Sequence, residues 1–229
     1  LPDAAALPAR ADPLPVVRAA EIEEHEQRPR WLVEALWARA GVGILGGAPK
    51  CCKSWLALEL ALSVTSDTPC LGKFAVGDPG AALVYMAEDA APVVKARLSG
   101  ICRHRGLTLA AQELNLIIAP ALRLDRAQDQ TRLRNAVARH RPRLLVLDPF
   151  VRLHRVDEND AGQVAGLLGY LRGLQRELDA AVLVVHHARK GPSSAHAQGQ
   201  SLRGSGDLHA WGDSNLYLQR RREGLLLTI

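Results

Sequence analysis

The chain has 229 residues, 48% of them apolar, 23% charged and 4% aromatic, with a formal net charge of +5 from 29 basic against 24 acidic side chains. That balance fits a soluble globular protein of one or two domains and excludes a mainly disordered chain. No apolar run approaches the roughly 18 residues of a membrane-spanning helix.

Residues 1–20 carry Pro2, Pro8, Pro13 and Pro15 and read as a flexible lead-in, so the expected organisation is a flexible segment over 1–30 and one domain over 31–229. The start at Leu1 suits a fragment, and no basic-then-apolar leader is visible. Trp31, Leu32, Leu36 and Trp37 predict a short helix or turn packed on a core. Gly41–Leu45 predicts a strand, followed by a Gly-rich turn and a buried helix over Ser54–Val64. Further along come a strand over Ala81–Met86, a helix over Pro92–Arg105, a strand over Leu114–Ile118 and a helix over Asp129–His140. Leu144–Leu147 predicts a strand, Ala161–Leu178 a long amphipathic helix and Ala181–Val185 another strand. Residues 188–206, rich in Gly, Ser, Gln and basic side chains, read as a mobile loop. Asn215–Gln219 and Gly224–Ile229 predict two antiparallel strands at a sheet edge.

Continuously apolar strands alternating with helices imply a mainly parallel, twisted sheet covered on both faces. Such folds bind ligands at the C-terminal ends of their strands. The polar residues gather at those ends: Gly46–Ser54, Glu88 with Asp89, Asp148, and His186 with His187. The four cysteines (51, 52, 70 and 102) contain no C-x-x-C pair, which argues against a zinc site or a disulfide framework and suits a reducing cytoplasm.

The segment Gly46-Gly47-Ala48-Pro49-Lys50-Cys51-Cys52-Lys53-Ser54 links a strand to a helix, where backbone N–H groups and a helix N-terminus hold phosphates. From Gly47 it matches G-x-x-x-x-G-K-[ST] except at the second Gly, which is Cys52. Lys53 would reach the β- and γ-phosphates and Ser54 would ligate Mg²⁺, with Trp55 next to them at the helix start. A positive φ at Cys52 would cost about 1 kcal/mol or more. Leu144–Asp148 has the form of a Walker B strand, whose Asp holds Mg²⁺ directly or through water. Glu88 is the candidate base for the attacking water, with Asp89 as its support or as a cap for the next helix. His186 or His187 could contact the γ-phosphate. Arg189, Lys190 and Arg203 bracket a polar loop suited to a nucleic-acid backbone, and Arg203 could instead act in trans as an arginine finger.

Together, Gly47–Ser54, Ala87-Glu88-Asp89, Leu144–Asp148, His186-His187-Ala188-Arg189-Lys190-Gly191 and Arg203-Gly204-Ser205 resemble a RecA-like P-loop ATPase. The chain is most similar to the RepA-type hexameric replicative helicases of plasmids and to the wider RepA-like AAA family of bacteria, over about residues 30–222. The resemblance implies an α/β RecA-like NTPase fold in which the strand ending at His186 lies between the P-loop strand and the Walker B strand. It implies ATP and Mg²⁺ as cofactors, Glu88 as the catalytic carboxylate, Asp148 as the Mg²⁺-associated residue, His186 or His187 as sensor and Arg203 as the finger. It also implies a homo-oligomeric ring around single-stranded DNA, lined by the loops Arg152–Asp160 and Arg189–Arg203. Two departures stand out: Cys52 in the P-loop, and an end at Ile229 where helicase relatives continue into further strands. The alternatives are a regulatory or mobile-element accessory ATPase that does not unwind DNA, and a nucleotide-binding domain whose turnover is impaired by Cys52. Few aromatics leave backbone contacts through Arg as the main means of holding DNA.

Overall fold

The apolar runs that end in the polar motifs lie side by side in one sheet. The computed structural model describes residues 16–21, 28–158, 160–187 and 206–229. In chain order the elements are β1 (Trp31–Val33), β2 (Trp37–Ala38), β3 (Val42–Gly47), α1 (Lys53–Ser66), β4 (Ala82–Met86), α2 (Ala91–Arg105), β5 (Leu114–Leu116), α3 (Ala127–His140), β6 (Leu144–Asp148), α4 (Ala161–Leu178), β7 (Ala181–His187), α5 (Gly206–Trp211), β8 (Ser214–Arg221) and β9 (Gly224–Thr228).

Seven strands form the main sheet in the order β5-β4-β6-β7-β3-β8-β9. All pair in parallel except β9, which runs antiparallel to β8 at the edge. The alternation of side chains along each strand divides the core in two. On one face, Leu45, Val84, Val146 and Leu183 pack with Leu60 and Val64 of α1 and Leu98 of α2. On the other, Ile44, Leu83, Leu145 and Val184 pack with Leu133 of α3 and Leu167 and Leu171 of α4. Both faces are covered, so the central strands are apolar at every position before their ends.

Three local features differ from the sequence expectation. Trp31 to Trp37 forms no helix: β1 and β2 make an antiparallel hairpin with Trp31 opposite Ala38 and Val33 opposite Trp37. Leu32, Leu36 and Trp37 are nonetheless buried in the core, as expected, whereas Trp31 is half-buried and Val33 joins the core in its place. Residues 206–211, at and beyond the end of the expected loop, form the short helix α5. The third feature is an extension: β3 continues through Gly46 and Gly47, and β7 through His186 and His187.

Gly43 makes the pairing of β3 with β8 possible. It lies opposite Ser214, and a Cβ at this position would sit 1.7 Å from the Ser214 carbonyl oxygen. Helix α4 begins at Asp160, whose carboxylate accepts from the Gln163 backbone N–H at 3.2 Å and from the Gln163 side chain at 2.6 Å. Arg39, after β2, pairs with Asp78 at 2.8 Å and with Asp179 at 2.6 Å, tying the hairpin to the turns before β4 and β7. The architecture is that of an α/β RecA-like P-loop NTPase, with β7 between β3 and β6 and an antiparallel C-terminal edge.

Candidate nucleotide site

Strand register gathers the motif residues. Gly46 lies opposite His186 and Gly47 opposite His187 across β3 and β7. Met86 lies opposite Asp148 across β4 and β6, which puts Glu88 and Asp89 just beyond the same end of the sheet. A cleft of about 470 Å³ opens there, lined by Lys50, Cys52, Ser54, Glu88, Asp89 and His187 among others. A larger apolar groove of about 940 Å³ adjoins it, sharing Cys52 and Trp55 and bounded also by Leu71, Ile101 and Leu225.

The loop between β3 and α1 holds two non-glycine residues in the left-handed region. Cys52 stands at the N-cap of α1 with φ 69° and ψ 22°, in the left-handed region. Lys50 has φ 61°. A non-glycine residue held there costs about 1–2 kcal/mol. No side chain caps α1, so its first N–H groups stay available to a ligand.

Lys53 is buried at 4% exposure. Its ammonium donates to the carbonyl oxygens of Gly47 at 2.9 Å and Ala48 at 2.8 Å, and lies 3.9 Å from Cys51 Sγ. Burial pushes its pKa below the ordinary lysine value, against the pull of Cys51 and Asp148. Burial also pushes the Asp148 carboxyl up to about 6, opposed by a hydrogen bond from the Ser54 hydroxyl and by the charge of Lys53. Asp148 Oδ2 is buried without a hydrogen-bond partner.

That orphaned oxygen is what a Mg²⁺ site would contain. Among the described residues no cluster of three or more His, Cys, Asp or Glu could hold a metal. Mg²⁺ beside a nucleotide needs only one or two protein oxygens, the rest coming from phosphates and water. The paired Ser54 hydroxyl and Asp148 carboxylate fit that requirement.

The two carboxylates after β4 have different partners. Asp89 accepts two bonds from Arg97 of α2, at 2.5 and 2.8 Å, and does not cap α2, whose N-cap is Ala90. Arg97 also lies over the Trp55 ring, 5.8 Å from its centroid. Glu88 Oε1 accepts from Arg152 Nε at 2.8 Å, with the side chains 46% and 63% exposed. An exposed pair of this kind is worth about 0.2–1 kcal/mol.

The histidines also divide. His187 lines the cleft, whereas His186 is buried, its ring 6.4 Å from that of Phe150. Burial lowers both pKa values from 6.5, so both are neutral at pH 7. Phe150 also packs on His154, centroids 4.5 Å apart.

The structure thus brings Lys53, Ser54, Glu88 and His187 around one cleft, with Asp148 buried against Ser54 and His186 buried one residue before His187. Arg189, Lys190 and Arg203 lie outside the described residues, as does the loop from Arg189 to Arg203. Sequence reasoning missed Arg97 and the pairing of Arg152 with Glu88; it placed Arg152 and His154 only in the loop expected to line DNA. Arg97 gave no signal, because Asp89 lies before α2 and no helical spacing relates the two. The pairing of Arg152 gave no signal, because Glu88 follows a different strand. A model of the family described as "AAA domain" matches residues 7–193.

Proposed function

The chain belongs to the AAA-domain family, a family of P-loop ATPases, and on that basis we propose that it hydrolyses ATP at the cleft between Gly47–Ser54 and Glu88. The observation that carries the reading is the register that places Lys53, Ser54, Asp148, Glu88 and His187 at one end of the sheet.

The triphosphate would lie on the N–H groups of residues 48–54, at the start of α1. Lys53 would exchange the carbonyls of Gly47 and Ala48 for β- and γ-phosphate oxygens. Ser54 and Asp148 would hold Mg²⁺, the latter directly or through water; the ion's charge would offset that building on the phosphates. Glu88 would orient a water and take its proton as the water oxygen bonds to the γ-phosphorus. The bond from that phosphorus to the bridging oxygen breaks, and ADP leaves with the electron pair. Neutral His187 would hydrogen-bond the γ-phosphate and report its loss along β7.

The finer reading is a motor of the RepA type acting on single-stranded DNA, in a homo-oligomeric ring in which Arg203 completes a neighbour's site. The resemblance of the motifs and the excess of Arg support it. Steady-state ATP hydrolysis with Mg²⁺, with and without single-stranded DNA, tests it beside Lys53→Ala. We expect Lys53→Ala to remove turnover and DNA to raise it several-fold. Slow turnover that ignores DNA would favour the regulatory ATPase, and binding without turnover the impaired domain.

A further inference from the structure

Helices α2, α3 and α4 all end on a basic turn: Arg103, His104 and Arg105 close α2, Arg139 and His140 close α3, and Arg176 lies in the last turn of α4. Each helix carries the chain back toward the N-terminal ends of the parallel strands, away from the nucleotide cleft. Complementing the helix dipole accounts for a cation in each turn. It does not account for Arg28, Arg30, Arg141 and Arg143, which lie outside helices at the same end. We propose that this end of the sheet, on the side of β6 and β7, holds a nucleic-acid duplex by its phosphates.

The ion pairs at this end leave positive charge over. Three guanidinium groups share the carboxylates of Asp78 and Asp179. Arg39 takes the short contacts, 2.8 Å to Asp78 and 2.6 Å to Asp179. Arg143 lies 3.4 and 3.9 Å from the same two carboxylates, and Arg28 lies 3.5 Å from Asp179, with 39% and 53% of their side chains exposed. Contacts this long and this exposed exchange readily for other anions. Arg30, Arg139 and Arg141 are exposed and make no ion pair among the described residues. In this group six arginines stand against two carboxylates.

Arg143 is fixed at the middle of the group. Its backbone N–H donates to the Ala81 carbonyl at 2.8 Å, and its own carbonyl accepts from the Ala181 N–H at 2.9 Å, between the starts of β4 and β7. Gly80 leaves room for its side chain, since a Cβ there would come within 2.7 Å of Arg143 Cγ.

The class of ligand follows from what accompanies the charge. None of the exposed large apolar side chains adjoins one of these six arginines in the sequence. Trp31 is half-buried, and the Arg30 guanidinium covers its ring at 5.2 Å from the centroid. An unpaired strand held by stacking, a peptide held by apolar anchors and a membrane surface all call for such groups. Guanidinium groups without them suit phosphates. A duplex presents the denser row of phosphates, about one charge per 1.7 Å of axis.

The test is fluorescence anisotropy of a short labelled DNA duplex with the full chain, across a salt series and without nucleotide, so that the result stands apart from whether the chain hydrolyses ATP. Arg139→Gln/Arg141→Gly removes two charges, and glycine suits the φ of 43° at Arg141. Lys95→Gln/Arg126→Gln removes two charges from the first half of α2 and the start of α3, and serves as the control. We expect the arginine pair to weaken duplex binding about ten-fold and to lower the slope of log affinity against log salt by about 2. Arg28→Gln, in an exposed segment before β1, should weaken it about three-fold. The control should stay within about two-fold of the wild type. The proposal is overturned if the wild type leaves the duplex unbound or if both arginine variants bind it as the wild type does. It is also overturned if the control loses as much as the arginine pair, which would be an effect of net charge alone. Weakening confined to oligo-dT would give the surface to a single strand and overturn the duplex assignment.

Discussion

Cys52 holds a backbone conformation that glycine adopts freely and L residues resist. Cys52→Gly should stabilise the protein by roughly 1 kcal/mol in urea denaturation, whereas Cys52→Ala, which keeps a Cβ, should not. The lysine, serine and strand-to-helix setting of Gly47–Ser54 were legible in the sequence; the left-handed backbone that Cys52 holds in place of a glycine was not, because a φ angle is not written in a motif. Asp148 makes a second residue-level prediction. Its carboxyl is raised from 3.8 to about 6 by burial. The unfolded chain ionises this group near pH 4, while the folded chain resists until about pH 6. Its contribution to stability is therefore fully present below pH 3.8 and lost as pH rises through about 6. At pH 8, nucleotide-free Asp148→Asn should be more stable than the wild type by roughly 1–3 kcal/mol, and the gap should close as pH falls toward 4. Thermal melts across that range read it directly. The arginines on Glu88 and Asp89 were invisible at this scale, since a carboxylate after a strand looks the same with or without a partner.

Helices and inner strands were the most legible elements, because each carries a full period of apolar positions. The α4 boundaries agree residue for residue with the periodicity. The hairpin of β1 and β2 was not legible: strands of three and two residues are too short for alternation to show, and Trp31 and Trp37 imitate helical spacing. Helix α5 has six residues and follows a polar stretch, so it offered little pattern. The join of β3 to β8 depends on a single missing side chain. Gly43→Ala would drive a Cβ into the Ser214 carbonyl and against Trp37, 3.2 Å away. We expect a loss of roughly 2–4 kcal/mol, with β8 and β9 separating from the sheet. Gly166→Ala in α4, where nothing lies within 4 Å, should instead stabilise by about 0.5–1 kcal/mol. The same denaturation assay compares the two.

At the scale of the whole molecule, the sequence announced a parallel sheet and a converging set of strand ends, and the family resemblance supplied the placement of β7 between β3 and β6. Local pattern alone could not give that order, which is decided by crossovers. Order also governs when the site can exist. The P-loop strand β3 comes first among the seven in the chain, yet its neighbours are among the last: Val42 pairs with Val182 and Gly43 with Ser214. During synthesis, β4, β5 and β6 can associate while β3 still lacks both its neighbours, and contacts so distant in sequence form slowly. The loop after β3 thus waits for β7 and β8 to emerge before its strand is paired on both sides, so a site built on that loop forms late in synthesis.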